Sequence, residues 1–250
     1  MKRAIIIGAT SGIGRQVALT LLEKGWKVGI AGRRREELYV LESLYGSDRV
    51  CSAVIDVMRP DSTAAFEKLL TDVGNPDLFM YASGIGRQNR ELDIDLEVNT
   101  VRTNCEGMVR LVDTFVNHVR NTPSYTSRSR AQVAVITSVA GTEGMGSAPA
   151  YSATKKMQST YLVALSQLCR MEKIPVDFTD IRPGFVATAI LNPNKRYPML
   201  MTVEKAASLI VKALEKRRRV FIFDWRFRLV VLFWRLIPRF IWERMTFVKN

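Results

Sequence analysis

The sequence predicts an α/β fold: a doubly wound parallel sheet with helices on both faces, followed by an amphipathic C-terminal helical appendage. Three observations predict it. Up to about residue 190, short continuous apolar runs alternate with segments of helical period. Such runs, bounded by turn residues, mark strands buried on both faces. A glycine-rich turn at Gly8, Gly12 and Gly14 joins the first run to the first helical segment. Composition then shifts near residue 215. The chain carries a net charge of +13, and residues 216–250 hold ten Lys and Arg against two acids, with three of the four Trp and six of the eleven Phe.

The elements follow in order. Residues 4–7 form the first strand, stopped by Gly8. A helix with Val17, Leu21 and Leu22 on one face ends at Gly25. Strands are predicted at 28–31, 50–55, 78–81, 132–136 and 176–181, and helices at 36–44, 64–70, 96–119 and 152–169. Crossovers of one hand wind such units into a single sheet. The polar stretch 121–132 is a surface loop. Two units result: a domain at 1–215, with a substrate lid at about 189–202, and the extension at 216–250.

Composition also excludes function classes. Cys51, Cys105 and Cys169 lie far apart, so neither a disulfide scaffold nor a zinc ribbon is expected. A single histidine, His118, excludes a multi-histidine metal site and leaves little room for a Ser-His-Asp hydrolase. No metal is expected. Residues 1–7 lack the apolar length of a secretory signal, and no window of ~18 uncharged apolar residues occurs. A cytoplasmic location is expected, with peripheral membrane contact open.

Gly8-Ala9-Thr10-Ser11-Gly12-Ile13-Gly14 lies at the first strand-to-helix junction. Its glycines let backbone approach a pyrophosphate, and the following helix offers free N–H groups and the positive end of its dipole. After the second strand comes Arg33-Arg34-Arg35, with no acid before Glu36 to hold a ribose 2′-hydroxyl. Arg33 instead suits a 2′-phosphate, with Ser11 adding a hydroxyl. Arg34 and Arg35 read as the solvated start of the next helix.

Tyr151 and Lys155 stand at i, i+4 on one helical face. A nearby ammonium favours the phenolate, so the pair suits proton exchange with a carbonyl oxygen during hydride transfer. Ser138 follows the strand at 132–136, near the sheet edge where such folds bind ligands. Asn104 lies inside the long helix, where its side chain either meets solvent or holds a water that passes protons to Lys155.

With these motifs in this order, residues 3–215 resemble the short-chain dehydrogenase/reductase family, whose fold is Rossmann-like. Gly8-x-x-x-Gly12-Ile13-Gly14 is similar to its cofactor loop, and Thr10 lies within it. The resemblance assigns Asp56 and Val57 to adenine, and Arg182-Pro183-Gly184-Phe185-Val186-x-Thr188 to the segment closing over nicotinamide. Pro183, Gly184, Val186 and Thr188 are its cofactor contacts. Asn104, Ser138, Tyr151 and Lys155 match the family's acid/base quartet, with the usual spacing of thirteen from Ser138 to Tyr151. The resemblance implies that Tyr151 is the general acid in reduction and that Lys155 lowers its pKa and holds the nicotinamide ribose. Ser138 then orients the carbonyl and Asn104 anchors the relay water. Two departures stand out. Ile7 replaces a common Thr, and Tyr81-Ala82-Ser83-Gly84 replaces Asn-Asn-Ala-Gly, leaving Ser83 and Gly84 as cofactor contacts and the bracing of the loop open.

The implied function is NADP(H)-dependent reduction of a ketone. The lid holds Leu191, Tyr197, Met199, Leu200 and Met201 and no acid, which favours a lipophilic substrate. A 3-oxoacyl-carrier-protein reductase is the alternative, since positive charge also suits an acidic carrier. A non-catalytic NADP-binding sensor is the alternative of another class, against which the intact quartet stands. The resemblance also implies a homodimer or homotetramer through the helices at 96–119 and 152–169. In the extension, Arg228, Arg235 and Arg239 fall on one face, opposite Val230, Phe233, Ile237 and Ile241, and Pro238 divides helices at 225–236 and 238–245. The segment to Lys249 either meets an anionic membrane or packs on protein. Nucleic acid is not expected, because the aromatics sit among aliphatic residues.

Overall fold

The computed structural model describes residues 1–192 and 194–246. Its centre is a parallel sheet of seven strands: β1 (Arg3–Ile7), β2 (Lys27–Gly32), β3 (Val50–Val54), β4 (Leu78–Tyr81), β5 (Ala131–Ile136), β6 (Val176–Arg182) and β7 (Val220–Ile222). Their order is β3-β2-β1-β4-β5-β6-β7. The order reverses at β1, which pairs with β2 on one side and β4 on the other. The crevice beyond the strands' C-terminal ends opens there.

β1 shows why the sheet forms. Alternate residues of a strand point to opposite faces, and β1 is apolar on both. Ile5 and Ile7 enter one core with Phe66, Leu69 and Phe115, while Ala4 and Ile6 enter the other with Val17, Leu21 and Ile210. Each buried isoleucine contributes about 1.5–3 kcal/mol relative to exposure. The first core is roofed by α3 (Ser62–Val73), α5 (Gly107–Asn121) and α6 (Pro149–Met171), the second by α1 (Gly12–Glu23), α2 (Arg35–Tyr45) and α7 (Val203–Glu215).

The six predicted strands are present with bounds within a residue or so. The helix predicted at 96–119 is composite: α4 (Ile94–Val101), one π-helical turn over Arg102–Glu106, then α5. β7 lies inside the segment read as an extension, so that segment joins the sheet before it leaves the domain. α8 (Trp225–Leu236) and α9 (Arg239–Trp242) follow, with Pro238 capping the second. The predicted helix at 238–245 is therefore shorter, and Lys249 lies outside the described residues. Among the described residues, no helix is long and apolar enough to cross a membrane, and no cluster of His, Cys, Asp and Glu suits a metal ion.

Candidate active site

The glycine loop runs from the end of β1 into α1. Gly8 has φ +87°, and a Cβ there would lie 2.6 Å from the Ser83 nitrogen, so the loop packs directly on the backbone after β4. Ser11 caps α1 in an extended conformation with no side-chain bond, and the first turn holds no acid. The first N–H groups of α1 near Gly12, Ile13 and Gly14 thus have no capping side chain and face the crevice, a fit for a phosphate. At the end of β2, Arg33 is exposed, and Arg34 reaches back so that its Nη2 donates to Thr10 Oγ1 at 3.0 Å. Sequence reasoning left Arg34 to solvent; the structure holds it at the loop beside Arg33. After β3, Asp56 is half-buried and accepts from the Met58 N–H at 3.1 Å. Val57 is buried and packs so closely on Gly107 that a Cβ there would lie 2.8 Å away.

Asn104 sits in the π-helical turn, a feature often found at functional sites. Its side chain is committed to the loop after β4. Oδ1 accepts from the Ile85 N–H at 2.9 Å, and Nδ2 donates to the Ile85 carbonyl at 2.8 Å and to Thr154 Oγ1 at 3.0 Å. Both amide hydrogens are used within the protein. The Asn104 carbonyl accepts from Gln158 Nε2 at 2.7 Å, and Gln158 Oε1 accepts from Lys155 Nζ at 3.0 Å. Gln158 thus bridges the Asn104 main chain and Lys155. Tyr81, standing where the family has Asn, donates its hydroxyl to the Thr103 carbonyl at 2.6 Å and braces the same turn.

Ser138 lies two residues beyond β5, caps the short turn Val139–Gly141 and accepts from the Ala140 N–H at 3.1 Å. Tyr151 lies near the start of α6, its ring flat against Gly86, where no side chain fits. Burial pushes the Tyr151 hydroxyl above the usual phenol value, and its hydrogen bond with Ser138 pulls the other way. Lys155 Nζ donates to the Ile136 carbonyl at 2.9 Å and lies 5.8 Å from the centre of the Tyr151 ring. Burial lowers the Lys155 ammonium to about 8, opposed by Cys105 and Asp180. Asp180 is itself buried, paired with Arg182 at 2.6 Å and accepting from the Thr137 hydroxyl. The ammonium is turned toward Ile136 and Gln158, and desolvation dominates the phenol.

These groups form the polar end of a cavity of about 650 Å³. Ile13, Gly84, Ser138, Tyr151, Lys155, Pro183, Gly184, Val186 and Thr188 line it, as do lid residues Leu191, Tyr197 and Met199. Gly8, Thr10, Ser11, Gly12, Gly14, Arg33, Asp56, Val57 and Ser83 lie outside its lining, and Asn104 is fully buried behind it. Three wall residues come from α8: Phe227, Val230 and Trp234. A Cβ on Gly184 would enter the Phe227 ring. Val230, predicted on the apolar face opposite the arginines, lines the cavity. The signals that mark the missed residues are spacings. Gln158 stands at i+3 from Lys155, and Phe227, Val230 and Trp234 stand at i, i+3, i+7.

The profile of the family described as short chain dehydrogenase matches residues 2–197. The chain belongs to the short-chain dehydrogenase family. As a member it is an oxidoreductase by descent. It is 28% identical over 246 residues to an uncharacterized oxidoreductase of Myxococcus xanthus, covering 95% of this chain and 93% of that one. It is 26% identical over 238 residues to the dehydrogenase/reductase SDR family member 7B of Xenopus tropicalis, covering 86% and 74%. Among solved structures, an alcohol dehydrogenase from Thermococcus sibiricus complexed with 5-hydroxy-NADP matches with TM-score 0.76 at 22% identity, over 89% of this chain and 96% of that one. A 3-ketoacyl-(acyl-carrier-protein) reductase from Brucella melitensis complexed with NADH matches with TM-score 0.78 at 21% identity and the same coverage. These two share the fold.

Proposed function

We propose that this short-chain dehydrogenase is an NADP(H)-dependent reductase of lipophilic ketones. The observation that carries the reading is the placement of Tyr151, between Ser138 and Lys155, at the polar end of a cavity whose remaining walls include Met145, Phe185, Met199, Phe227 and Trp234. Apolar walls suit a ligand with a hydrocarbon body and one reacting oxygen, and Arg87, Gln88, Asn192 and Lys195 on the same lining leave room for a polar group elsewhere on it.

The loop Gly8–Gly14 and the α1 N-terminus suit the cofactor's pyrophosphate. Arg33 and Arg34, with Thr10 and Ser11, suit a 2′-phosphate. Asp56 and Val57 would meet adenine, Ser83 and Gly84 the adjoining ribose region, Lys155 the nicotinamide ribose, and Pro183, Gly184, Val186 and Thr188 the nicotinamide. When bound, the cofactor supplies the hydride.

The chain's own groups handle the oxygen. Ser138 donates to the substrate carbonyl and orients it toward Tyr151. Tyr151, kept protonated by burial, transfers its proton to the oxygen as negative charge develops there. Lys155, charged below about pH 8, stabilises the phenolate left behind. The Asn104–Gln158–Lys155 bridge holds that ammonium in place. Reductase kcat/KM, which reports the free enzyme, is therefore expected to fall as pH rises through about 8.

Exposed Ile94, Val98 and Val101 on α4 and Val163 on α6 support a homo-oligomer through these helices, to be read by light scattering. The functional reading is tested with NADPH, NADH and a series of ketones of increasing chain length. A kcat/KM that rises with chain length and prefers NADPH is expected. Flat dependence on length, or equal use of NADH, overturns the corresponding half.

A further inference from the structure

The outer face of α8 is apolar, and among the described residues it is left exposed. Phe227, Val230, Val231 and Trp234 form the inner face, packed on the domain or lining the cavity. Trp225, Leu229, Leu232 and Leu236 recur at i, i+4, i+7 and i+11. At 3.6 residues per turn this spacing puts them on one stripe, turned away from the inner face. They are between 43% and 70% exposed, and Phe233 beside them is 61% exposed. Beyond Pro238, Phe240 and Ile241 are exposed too. A continuous apolar patch of this kind marks a contact surface.

Charge names the contact. Arg226 borders the stripe on one side, and Arg228 and Arg235 on the other. Arg226 is paired with Asp224, whereas Arg235 is exposed. Residues 216–250 hold ten Lys and Arg against two acids. Two copies of this chain meeting through the face would bring like charges together. An anionic bilayer meets both demands. Trp, Phe and Leu enter the interfacial layer, while arginine stems lie along it with their guanidinium groups among the headgroups.

We propose that α8 and α9 dock this protein on anionic lipid through the Trp225–Leu229–Leu232–Leu236 stripe. The same helix would then be membrane anchor on one side and cavity wall on the other. Its orientation is fixed. The Phe227 ring is wedged over Gly184, and Trp242, stacked edge-on against Trp234, donates its Nε1–H to the Gly144 carbonyl at 2.7 Å. Docking therefore sets the cavity beside the lipid surface. The docking surface stands independently of the substrate reading, because its test involves no turnover.

The full chain is floated with vesicles of phosphatidylcholine alone or mixed with phosphatidylglycerol, at low and high salt, while tryptophan emission is recorded. Expected are flotation with the mixed vesicles only, weaker at high salt, and a blue shift in emission. The double variant Leu232→Gln/Leu236→Gln, altering exposed positions, should keep its melting temperature and lose at least tenfold of the bound fraction. Trp225→Phe should still float and lose much of the blue shift. Failure of the wild type to float overturns the proposal, as does a double variant that floats equally well. So does wild-type protein that binds no vesicles and self-associates in light scattering, with the double variant dissociating it.

Discussion

The two ends of the cavity are built differently. At the polar end, Ser138 sits just beyond β5 and Tyr151 and Lys155 sit on α6; Gln158 and the Ile136 carbonyl hold Lys155 through short bonds, and Asn104 holds Gln158 in turn. At the apolar end, Phe227, Val230 and Trp234 lean in from α8, whose buried residues are Phe227 and Val231. The lesson is a division of labour. The chemistry rests on a network that cannot shift without leaving buried polar groups unpaired. On the proposed reading, the choice of substrate rests on the wall that α8 supplies.

The largest effect is expected at the polar end. Tyr151→Phe keeps the ring against Gly86 and removes the proton, so turnover should fall by about 10²–10⁴ with cofactor still bound. Near-normal turnover would remove Tyr151 from the mechanism. Next, Arg33→Ala/Arg34→Ala should weaken NADPH, not NADH, by about tenfold to a hundredfold, the scale of one or two hydrogen bonds to a charged group. Isothermal titration with each cofactor decides it.

At the apolar end, Phe227→Ala should raise KM for a long-chain ketone by about tenfold, as one lost apolar contact does. A short ketone should be unaffected, and an equal loss on both would mean that the wall supports the polar end after all. The smallest effect in rate is the sharpest test of the bridge. Gln158→Leu removes an acceptor that favours the charged Lys155, so the alkaline limb of the pH profile should move below about 8. Gln158→Glu should move it upward. A merely structural residue would lower the rate at every pH without moving the limb.

The polar end was largely legible in the sequence, because strand-end and helical-face spacings are local. Tyr151 and Lys155 needed only α6, and Ser138 only the end of β5. Asn104 was found, but the direction of its bonds was not. A π-helical turn leaves no periodic trace over five residues, and its carbonyl finds Gln158 across a distance of 54 residues in sequence. β7 was hidden because it is three residues long and follows Arg217-Arg218-Arg219, a charge run that reads as solvated. Which side of α8 packs inward stayed open in the sequence, because both of its faces are apolar and pattern alone cannot say which one meets protein.

The wedge of Phe227 over Gly184 also has a bearing on biosynthesis. Translation delivers Ser138, Tyr151, Lys155 and Gly184 well before Phe227, and N-terminal units begin folding first. A nascent chain therefore reaches a stage with six strands made and its acid/base groups assembled, while the pocket lies open on one side. Until α8 emerges and seats its ring, that opening presents apolar surface to water, a surface on which a chaperone can act or aggregation can start.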